Sequence, residues 1–355
     1  MAEKRFRVAN FNVNNFNYPG FRYYGRKDED GAPIPKDVYA HKVAWISKLL
    51  DTARVDLIGF EELFSQAAIE EVVCNTKYLA GATLYAPNLV DNIVAGPSGQ
   101  EARGPFCGLV TRFPIVAREA ILEFPDDVRG KLRVLRGDGS TQFVDVPITQ
   151  FQRPVLRAQV QLREQTTATV FVAHLKSKSE QIFEDEDPDD PVIQALGSAR
   201  SLILRAAEAA ALRSLVVAES TGNKKPIILC GDLNDDRGSV TTQMIAGDDP
   251  FFVPADKKPL AYDRLLYSVH DIQERLSYAP SSYTHIYDGR CELLDHIFVS
   301  EEFVEQNRDH IARVCNTRTY NDHVFDSKLT SDYNESPLAT SDHGVPVTEI
   351  AFTRD

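Results

Sequence analysis

Short apolar runs with the spacing of β-strands recur along the chain and alternate with longer runs of helical spacing. Hydrophobic and polar residues alternate at 6–13 and 169–174, whereas 225–230 is almost continuously apolar. Alternation predicts a strand with one buried face, and a continuous apolar run predicts a strand covered on both faces. Apolar residues gather on one helical face at 37–53 and at 198–219, which predicts two helices, the second capped by its initial serine.

Two further segments, 106–123 and 155–174, have the pattern of antiparallel hairpins. Strands joined partly by helices and partly by hairpins indicate a mixed α/β sandwich, with two sheets packed together and helices outside. No internal repeat or linker divides the chain, so we expect one domain over 1–355. Polar stretches rich in Gly and Pro predict loops inserted at about 17–37, 86–105, 125–150, 181–197 and 316–340.

The composition is that of an ordinary globular protein, with 43% hydrophobic and 26% charged residues. No apolar stretch is long enough for a membrane span, and residues 1–8 lack the apolar centre of a signal peptide. The five scattered cysteines form no Cys-x-x-Cys pair, which predicts reduced thiols in a cytoplasmic protein. The net charge of −13 argues against a broadly basic nucleic-acid surface but leaves nucleic acid open as a substrate.

Polar side chains that bind metals or move protons stand at the ends of several apolar runs. They are Asn12, Glu62, His174, Asp232, Asn234, Asp342 and His343. Oxygen ligands suit a hard cation such as Mg²⁺, and a nearby histidine can handle a proton. Asp295 alternates with the apolar residues Leu293 and Ile297, so its carboxylate faces an apolar layer. A buried carboxylate needs a partner, and a protonated histidine is a suitable one.

Each of these segments also has a structural explanation when it is considered alone. The segment 231–234 could be a turn at a strand end, and His174 could be a buried core histidine. His296 lies opposite Asp295 and is assigned to packing, and the acidic run 184–190 is assigned to a solvated loop. The remaining histidines show no partner and are assigned to loops or the surface: His41, His270, His285, His310 and His323.

The order of the polar segments carries more information than any one of them. Phe-Asn-Val, Glu-Glu, His-Leu-Lys-Ser, Gly-Asp-Leu-Asn, Leu-Asp-His-Ile and Ser-Asp-His-Gly occur in a series that resembles the endonuclease/exonuclease/phosphatase superfamily. The resemblance extends from Asn12 to His343. It implies the deoxyribonuclease I-like fold, a four-layered α/β sandwich of two packed mixed sheets flanked by helices. It also implies a hydrolase that uses Mg²⁺, with Mn²⁺ as an alternative.

The resemblance implies metal-binding roles for residues at the strand ends. Glu62 is expected to be the principal Mg²⁺ ligand, and Asn12 and Asp342 are expected to lie beside the metal. Asp232 and Asn234 would hold the nucleophilic water and a phosphate oxygen, or a second cation.

Other residues match the family's proton-transfer and phosphate-binding positions. His343, oriented by Asp295, is the expected general base, and His174 would donate to a phosphoryl oxygen or the leaving group. Arg153, Lys176 and Lys178 are the expected substrate-binding cations.

One position departs from the pattern. Glu61 stands where many family members carry Gln, and it adds a negative charge next to Glu62. Strand alternation directs Glu61 to the opposite face.

These expectations converge on a Mg²⁺-dependent phosphodiester hydrolase, a nuclease that cuts DNA or RNA by direct in-line attack of water. The motif 174–178 is similar to bacterial nuclease-type members of the superfamily. The alternative is a phosphatase or phosphodiesterase acting on a small-molecule or lipid-headgroup phosphoester, which the acidic net charge favours. Within that class the Trp-Cys-Asp-Arg signature of inositol phosphatases is absent, because the chain reads Leu-Asp-His-Ile at 294–297. A catalytically inactive binding module is the third reading.

Overall fold

Two six-stranded β-sheets lie face to face, with their strands numbered in chain order. The computed structural model describes residues 4–22, 33–91, 93–96, 99–135, 137–138, 142–247, 262–277, 282–287, 289–324 and 339–353. The first sheet contains β1 (Arg5–Phe16), β2 (Leu57–Leu63), β3 (Thr83–Tyr85), β6 (Phe106–Thr111), β17 (Ala312–Tyr320) and β18 (Val345–Phe352). The second contains β7 (Ile115–Glu123), β10 (Gln150–Arg163), β11 (Thr166–His174), β12 (Ile227–Asp232), β13 (Tyr267–Ser268) and β16 (Asp295–Val299).

Both sheets are mixed. Their strand orders are β17-β18-β1-β2-β6-β3 and β13-β16-β12-β11-β10-β7. The pairs β1–β2 and β11–β12 are parallel, and the other neighbours are antiparallel. The described residues also form separate hairpins: β4 (Ile93–Ala95) with β5 (Glu101–Arg103), β8 (Arg133–Leu135) with β9 (Phe143–Asp145), and β14 (His285–Tyr287) with β15 (Arg290–Glu292).

Helices flank the two sheets. The helices of the described residues are α1 (Lys36–Ala53), α2 (Gln66–Asn75), α3 (Pro191–Ser220), α4 (Val240–Ala246) and α5 (Val269–Leu276). Ile46 of α1 packs with Phe11 and Phe60 of the first sheet, and Leu212 of α3 packs with Phe171 of the second. A third apolar cluster fills the space between the sheets. Burial of each large apolar side chain contributes roughly 1.5–3 kcal/mol. The predicted α/β sandwich is therefore confirmed.

Several predicted boundaries need correction. The predicted helix at 37–53 is α1, but the one at 198–219 begins earlier, at Pro191. Its cap is Asp190, whose carboxylate accepts a hydrogen bond of 2.8 Å from Val192 N. The pattern misplaced this start because proline is well tolerated in the first helical turn, where its missing N–H is not needed. The predicted loop at 181–197 consequently ends at Asp190.

The segment 106–123 is not a hairpin, whereas β10 and β11 pair as predicted. β6 pairs with β2 and β3 in the first sheet, and β7 pairs with β10 in the second. The chain therefore crosses between the sheets near Pro114, a crossing that local alternation does not distinguish from a turn.

The remaining predicted loops contain more structure than expected. Those at 86–105 and 125–150 carry the β4–β5 and β8–β9 hairpins. The one at 316–340 begins inside β17. Strands of only three residues contain too little alternation of hydrophobic and polar positions to be recognised from the sequence. Residues 23–32 and 325–338 of the predicted loops lie outside the described residues. The acidic run 184–190 is largely exposed, as expected.

Gly231 allows β11 and β12 to approach closely at the end that carries polar residues. A Cβ atom at this position would overlap the carbonyl oxygen of Ala173 in the neighbouring strand. The resulting register aligns His174 with Asp232, and Asp232 with Asp295 across the next strand. These three polar side chains therefore lie side by side at one end of three neighbouring strands of the second sheet.

Within the part of the chain that the structure describes, no helix combines the length and apolar character that a membrane crossing requires.

His270, at the start of α5, is buried, contrary to its assignment to the surface. Neither ring nitrogen has a hydrogen-bond partner among the described residues. Burial, with smaller contributions from the charges of His296 and Arg237, lowers the pKa of His270 to about 3. The ring is therefore neutral in the folded protein at neutral pH, whereas an unfolded histidine titrates near pH 6.5.

We expect this histidine to destabilise the protein as the pH falls. Between about pH 6.5 and pH 3 the unfolded chain binds one more proton at His270 than the folded chain. The contribution of the neutral His270 ring to the free energy of unfolding is therefore fully present above this window and is lost as the pH falls through it. From pH 7 to pH 5 the loss at this residue is about 2 kcal/mol. Urea unfolding of wild type and His270→Leu at both pH values measures it, because the variant lacks this contribution.

The same substitution at the exposed His41 serves as the control. Its pH dependence should match that of wild type. An equal loss of stability in wild type and His270→Leu would contradict the assignment.

Candidate active site

Asn12, near the end of β1, links carboxylates from both sheets. Its Nδ2 donates hydrogen bonds to Glu62 Oε1 of β2 at 3.2 Å and to Asp232 Oδ2 of β12 at 2.9 Å. Asn12 and Asp232 are almost completely buried. A single amide thus brings together two acidic groups that are far apart in the chain.

The backbone around these groups adopts left-handed conformations. Asn14, Asn15 and Glu62 have φ values of 48°, 54° and 59°. Asn14 N donates to Asn12 Oδ1 at 3.0 Å, and Asn15 N donates to Glu62 Oε2 at 2.9 Å. Asparagine tolerates this region, whereas a glutamate there costs of order 1–3 kcal/mol. The strained backbone therefore lies at the residue whose carboxylate the Asn15 N–H orients.

The positive φ of Glu62 also corrects the expectation that Glu61 and Glu62 face opposite ways. Glu61 follows the alternation of Leu57, which packs between the sheets, and the left-handed conformation of Glu62 turns its own carboxylate to the same side. Asn10 Nδ2 donates to Glu61 Oε2 at 3.2 Å and to Asp295 Oδ1 at 3.3 Å. Burial raises the pKa of Glu61 well above its ordinary value, and the charges of Asp295 and Asp232 raise it further. In its protonated form Glu61 is neutral, like the Gln that many family members carry.

His343 and Asp295 form a buried pair. His343 Nδ1 lies 2.7 Å from Asp295 Oδ2, and His343 Nε2 lies 4.0 Å from Asp232 Oδ2. Burial alone lowers the pKa of His343, but the carboxylates of Asp295, Asp232 and Asp342 outweigh it and raise the pKa well above the ordinary value. An Nδ1–H donated to Asp295 leaves Nε2 directed toward Asp232.

The loop that carries His343 is fastened to β1. Ser341 Oγ donates to Asn12 O at 2.8 Å and accepts a hydrogen bond of 3.0 Å from His343 N. These two hydrogen bonds of Ser341 set the position of the His343 imidazole relative to the carboxylates of Glu62 and Asp232 that Asn12 joins.

His174 and Asn234 lie around the same Asp232 carboxylate. His174 Nε2 is 3.6 Å from Asp232 Oδ2. Burial lowers the pKa of His174 well below its ordinary value, and the charge of Arg153 adds to the effect, so the ring is neutral. Asn234 N donates to Asp232 Oδ1 at 2.9 Å, while its Nδ2 donates to Leu175 O at 3.0 Å.

The three predicted substrate-binding cations are arranged differently. Arg153 Nη1 donates to Leu175 O at 3.3 Å and lies beside His174. The Lys176 ammonium donates to oxygens of its own loop, and the Lys178 ammonium donates to the Glu292 carboxylate at 2.9 Å. Both lysines thus have protein partners here, and their binding of substrate stays a prediction from the sequence.

Lys42 belongs to the site although the sequence analysis did not single it out. Its Nζ donates to Asn14 O at 2.6 Å. Burial lowers the pKa of Lys42 to about 7, against the charges of Asp342 and Glu62, which raise it. Its position on the apolar face of α1, between Tyr39 and Ile46, was the signal that could have identified it.

Two histidines assigned to loops or the surface also contact this region. The ring of His285, at the start of β14, lies 5.1 Å from that of His343 between centroids. His323 Nε2 lies 2.8 Å from His343 O, and its ring is 4.6 Å from Trp45. No sequence pattern connects these positions. By contrast His296 is fully buried, with Nε2 2.9 Å from a backbone carbonyl, as its assignment to packing predicts.

The donor set fits a divalent cation. Donor atoms of Asp232, Asp295 and His343 lie within 4.8 Å of one another. The Asn12 amide, which donates to both Glu62 and Asp232, links the Glu62 carboxylate to this group. Burial raises the pKa of Asp232, and the neighbouring Asp295 raises it further, although His343 opposes the shift. This excess of buried negative charge is what a cation would offset, and carboxylate oxygens are ligands that hard divalent cations prefer.

A two-sheet α/β sandwich with acidic strand ends and a histidine–aspartate pair defines a metal-dependent phosphoesterase of the deoxyribonuclease I-like class. Residues 9–343 match the Endonuclease/Exonuclease/phosphatase family, so the chain belongs to that family. Its members are hydrolytic phosphoesterases that depend on divalent metals.

Solved structures share this fold at low sequence identity. A mannosyl-6-phosphatase from Bacteroides thetaiotaomicron is 16% identical, with a TM-score of 0.52 over 98% of this chain and 100% of the other. The human Nocturnin catalytic domain with bound sulfate is 13% identical, with a TM-score of 0.51 over 99% and 97%. A family protein from Bacteroides vulgatus is 12% identical, with a TM-score of 0.52 over 99% and 100%. No curated protein matches the sequence.

Proposed function

We propose that this protein hydrolyses nucleic-acid phosphodiesters by metal-assisted, in-line attack of water. The observation that carries the proposal is the convergence of Glu62, Asp232 and the His343–Asp295 pair at one end of the sandwich. Asn12 contacts both carboxylates, and His343 Nε2 is 4.0 Å from Asp232. Cation ligands and a candidate base therefore face the same small volume.

We assign the cation to Glu62 and Asp232, with Asn12 and Asp342 beside it. Mg²⁺ fits this set, and Mn²⁺ is the alternative. When bound, the cation neutralises phosphate charge and stabilises the charge that develops in the transition state. The Asn15 N–H on Glu62 and the Asn12 amide hold the carboxylates before metal arrives.

We assign the general base to His343. Its Nε2 would accept the proton of the attacking water while Nδ1–H remains bonded to Asp295, which stabilises the imidazolium that forms. The field that favours protonated His343 comes from Asp295, Asp232 and Asp342. That field weakens when Asp232 and Asp342 share their charge with a cation. Direct displacement predicts inversion of configuration at phosphorus.

His174, Asn234 and Arg153 surround the opposite side of Asp232. A neutral His174 can donate one N–H to a phosphoryl oxygen or to the leaving group. Arg153 Nε has no hydrogen-bond partner among the described residues, so this buried donor suits an anionic oxygen.

A groove lined partly by residues that follow Asn15 and Glu62 in the chain supports a substrate with a group beyond its phosphate. Its volume is about 410 Å³, and its lining includes Asn17, Tyr18, Phe64 and Arg103. Phe64 follows Glu62 closely in the chain. The buried Asn17 Nδ2 has no partner within the described structure. An aromatic wall with a free amide suits a nucleobase or a sugar.

A phosphomonoester of a small molecule is the second candidate. The net charge of −13 gives little long-range attraction for a polynucleotide. Lys176 and Lys178, which would form a basic rim, are held by protein oxygens. A mannosyl-6-phosphatase has the same fold, which is compatible with this alternative but does not decide it.

A substrate panel distinguishes the candidates. Purified protein is incubated with DNA and RNA oligonucleotides, bis-p-nitrophenyl phosphate, mannose 6-phosphate and a lipid-headgroup phosphoester, with Mg²⁺, Mn²⁺ or EDTA. The proposal predicts oligonucleotide cleavage that requires metal and falls steeply with salt. Phosphate release from the sugar monoester with intact oligonucleotides would favour the second candidate. Absence of metal-dependent hydrolysis of every compound would contradict both.

A further inference from the structure

Beside the oxygen-rich centre lies a group of different chemistry. Donor atoms of His285, Asp342 and His343 lie within 4.8 Å of one another. Two of the three donors are imidazole nitrogens, which bind Zn²⁺ and similar transition metals better than Mg²⁺. The resemblance to the phosphoesterase family gave no role to His285.

The histidines are prepared as ligands in two ways. His343 already holds Asp295 Oδ2 through Nδ1 at 2.7 Å, the carboxylate–histidine arrangement that orients a metal-binding imidazole and raises its basicity. His285 Nδ1 is buried and has no hydrogen-bond partner among the described residues.

The hairpin that carries His285 is fixed to the site at both ends. Thr284 O accepts a hydrogen bond of 2.6 Å from Gly344 N, and Thr284 Oγ1 accepts one of 3.1 Å from Asp295 N. At the other end Glu292 accepts from Lys178 Nζ at 2.9 Å. Thr284, which precedes His285, therefore anchors this strand both to the Asp295 backbone and to the residue after His343.

We propose that His285, Asp342 and His343 form a transition-metal site that binds Zn²⁺ and whose occupation inhibits hydrolysis. His285 and Asp342 are only partly buried, so rotation of their side chains can close the donors to the roughly 3.4 Å spacing of tetrahedral coordination. Zn²⁺ accepts the lone pairs of both imidazoles and one carboxylate oxygen, and the proton on His343 Nε2 leaves to solvent. Water completes the coordination.

Inhibition follows from the shared imidazole, and this part rests on the proposed function. The Nε2 lone pair that would accept a proton from the attacking water is the one that Zn²⁺ takes.

Metal binding is tested first, without reference to activity. With Mg²⁺ saturating, the full-length protein is titrated with Co²⁺, whose visible absorption is strong in a four-coordinate site and weak in a six-coordinate one. One equivalent should give the band, and Zn²⁺ should abolish it by competition. His285→Gln should bind Co²⁺ at least tenfold more weakly, whereas His285→Cys should retain binding through a thiolate. The exposed His41→Gln is the control and should match wild type.

Inhibition is then measured with a substrate that the panel identifies. Wild type should lose activity to Zn²⁺, and His285→Gln should need at least tenfold more Zn²⁺ while its Mg²⁺-dependent rate stays unchanged. Equal Co²⁺ spectra and affinities for wild type and His285→Gln would overturn the site. A protein that hydrolyses no substrate but shows the Co²⁺ difference would contradict the proposed function and leave the metal site supported.

Discussion

Replacing His343 with Asn should reduce kcat for metal-dependent phosphoester hydrolysis by about 10²–10⁴-fold. The amide Nδ2 of Asn can occupy approximately the position of the imidazole Nδ1, which lies 2.7 Å from Asp295 Oδ2, so the buried carboxylate keeps a donor. The group that would accept the proton from water is absent. The substitution therefore separates the loss of the base from the cost of an unpaired buried charge.

Steady-state kinetics with Mg²⁺ and urea unfolding of the same preparation give the two required measurements. KM and the free energy of unfolding should change little compared with kcat. His310→Asn is the control, because the ring of His310 is hydrogen-bonded to Asn307 O and not to any of the site residues. A kcat within a few-fold of wild type for His343→Asn would refute the assignment of the base.

Glu62→Gln is expected to remove metal binding and with it the metal-dependent activity. The amide keeps the size of the side chain and can retain the acceptor oxygen for Asn15 N, at 2.9 Å in wild type, but it loses the negative charge. Because carboxylate charge provides much of the attraction for a hard cation, we expect the Kd for Mg²⁺ to rise by about 100-fold or more.

This effect can be measured through stability as well as through activity. A cation that binds the folded chain stabilises it by about 2.7 kcal/mol at a concentration of 100 times its Kd. Wild type should become more resistant to urea as Mg²⁺ is added, whereas Glu62→Gln should not respond in the same range. Glu70→Gln, on the exposed face of α2, should behave as wild type. Equal stabilisation of wild type and Glu62→Gln would exclude Glu62 as a ligand.

Both predictions concern residues that were recognisable before the structure was considered. Strand-like periodicity ended at Glu62 and Asp232, and the apolar neighbours of Asp295 implied a buried carboxylate in need of a partner. That partner is His343, at 2.7 Å. The mixed α/β sandwich could be predicted for a similar reason, since hydrophobic periodicity reflects which faces of strands and helices are buried.

Other features depended on contacts between distant segments. The alternation rule placed Glu61 and Glu62 on opposite faces because it assumes regular β geometry, but the left-handed conformation of Glu62 turns its carboxylate to the side that Glu61 faces. The same rule mistook 106–123 for a hairpin, because periodicity reports the burial of a strand but does not name its neighbour.

The sequence by itself determined the class of fold and the chemical types gathered at the strand ends, because burial and residue chemistry are local properties. The tertiary structure decided which of these groups touch. It brought Lys42 and His285 to the site and engaged the Lys178 ammonium with Glu292. Such pairings arise from strand register and loop closure over hundreds of residues. A local pattern can mark a residue as buried, as it does for Lys42, but it does not name the partner.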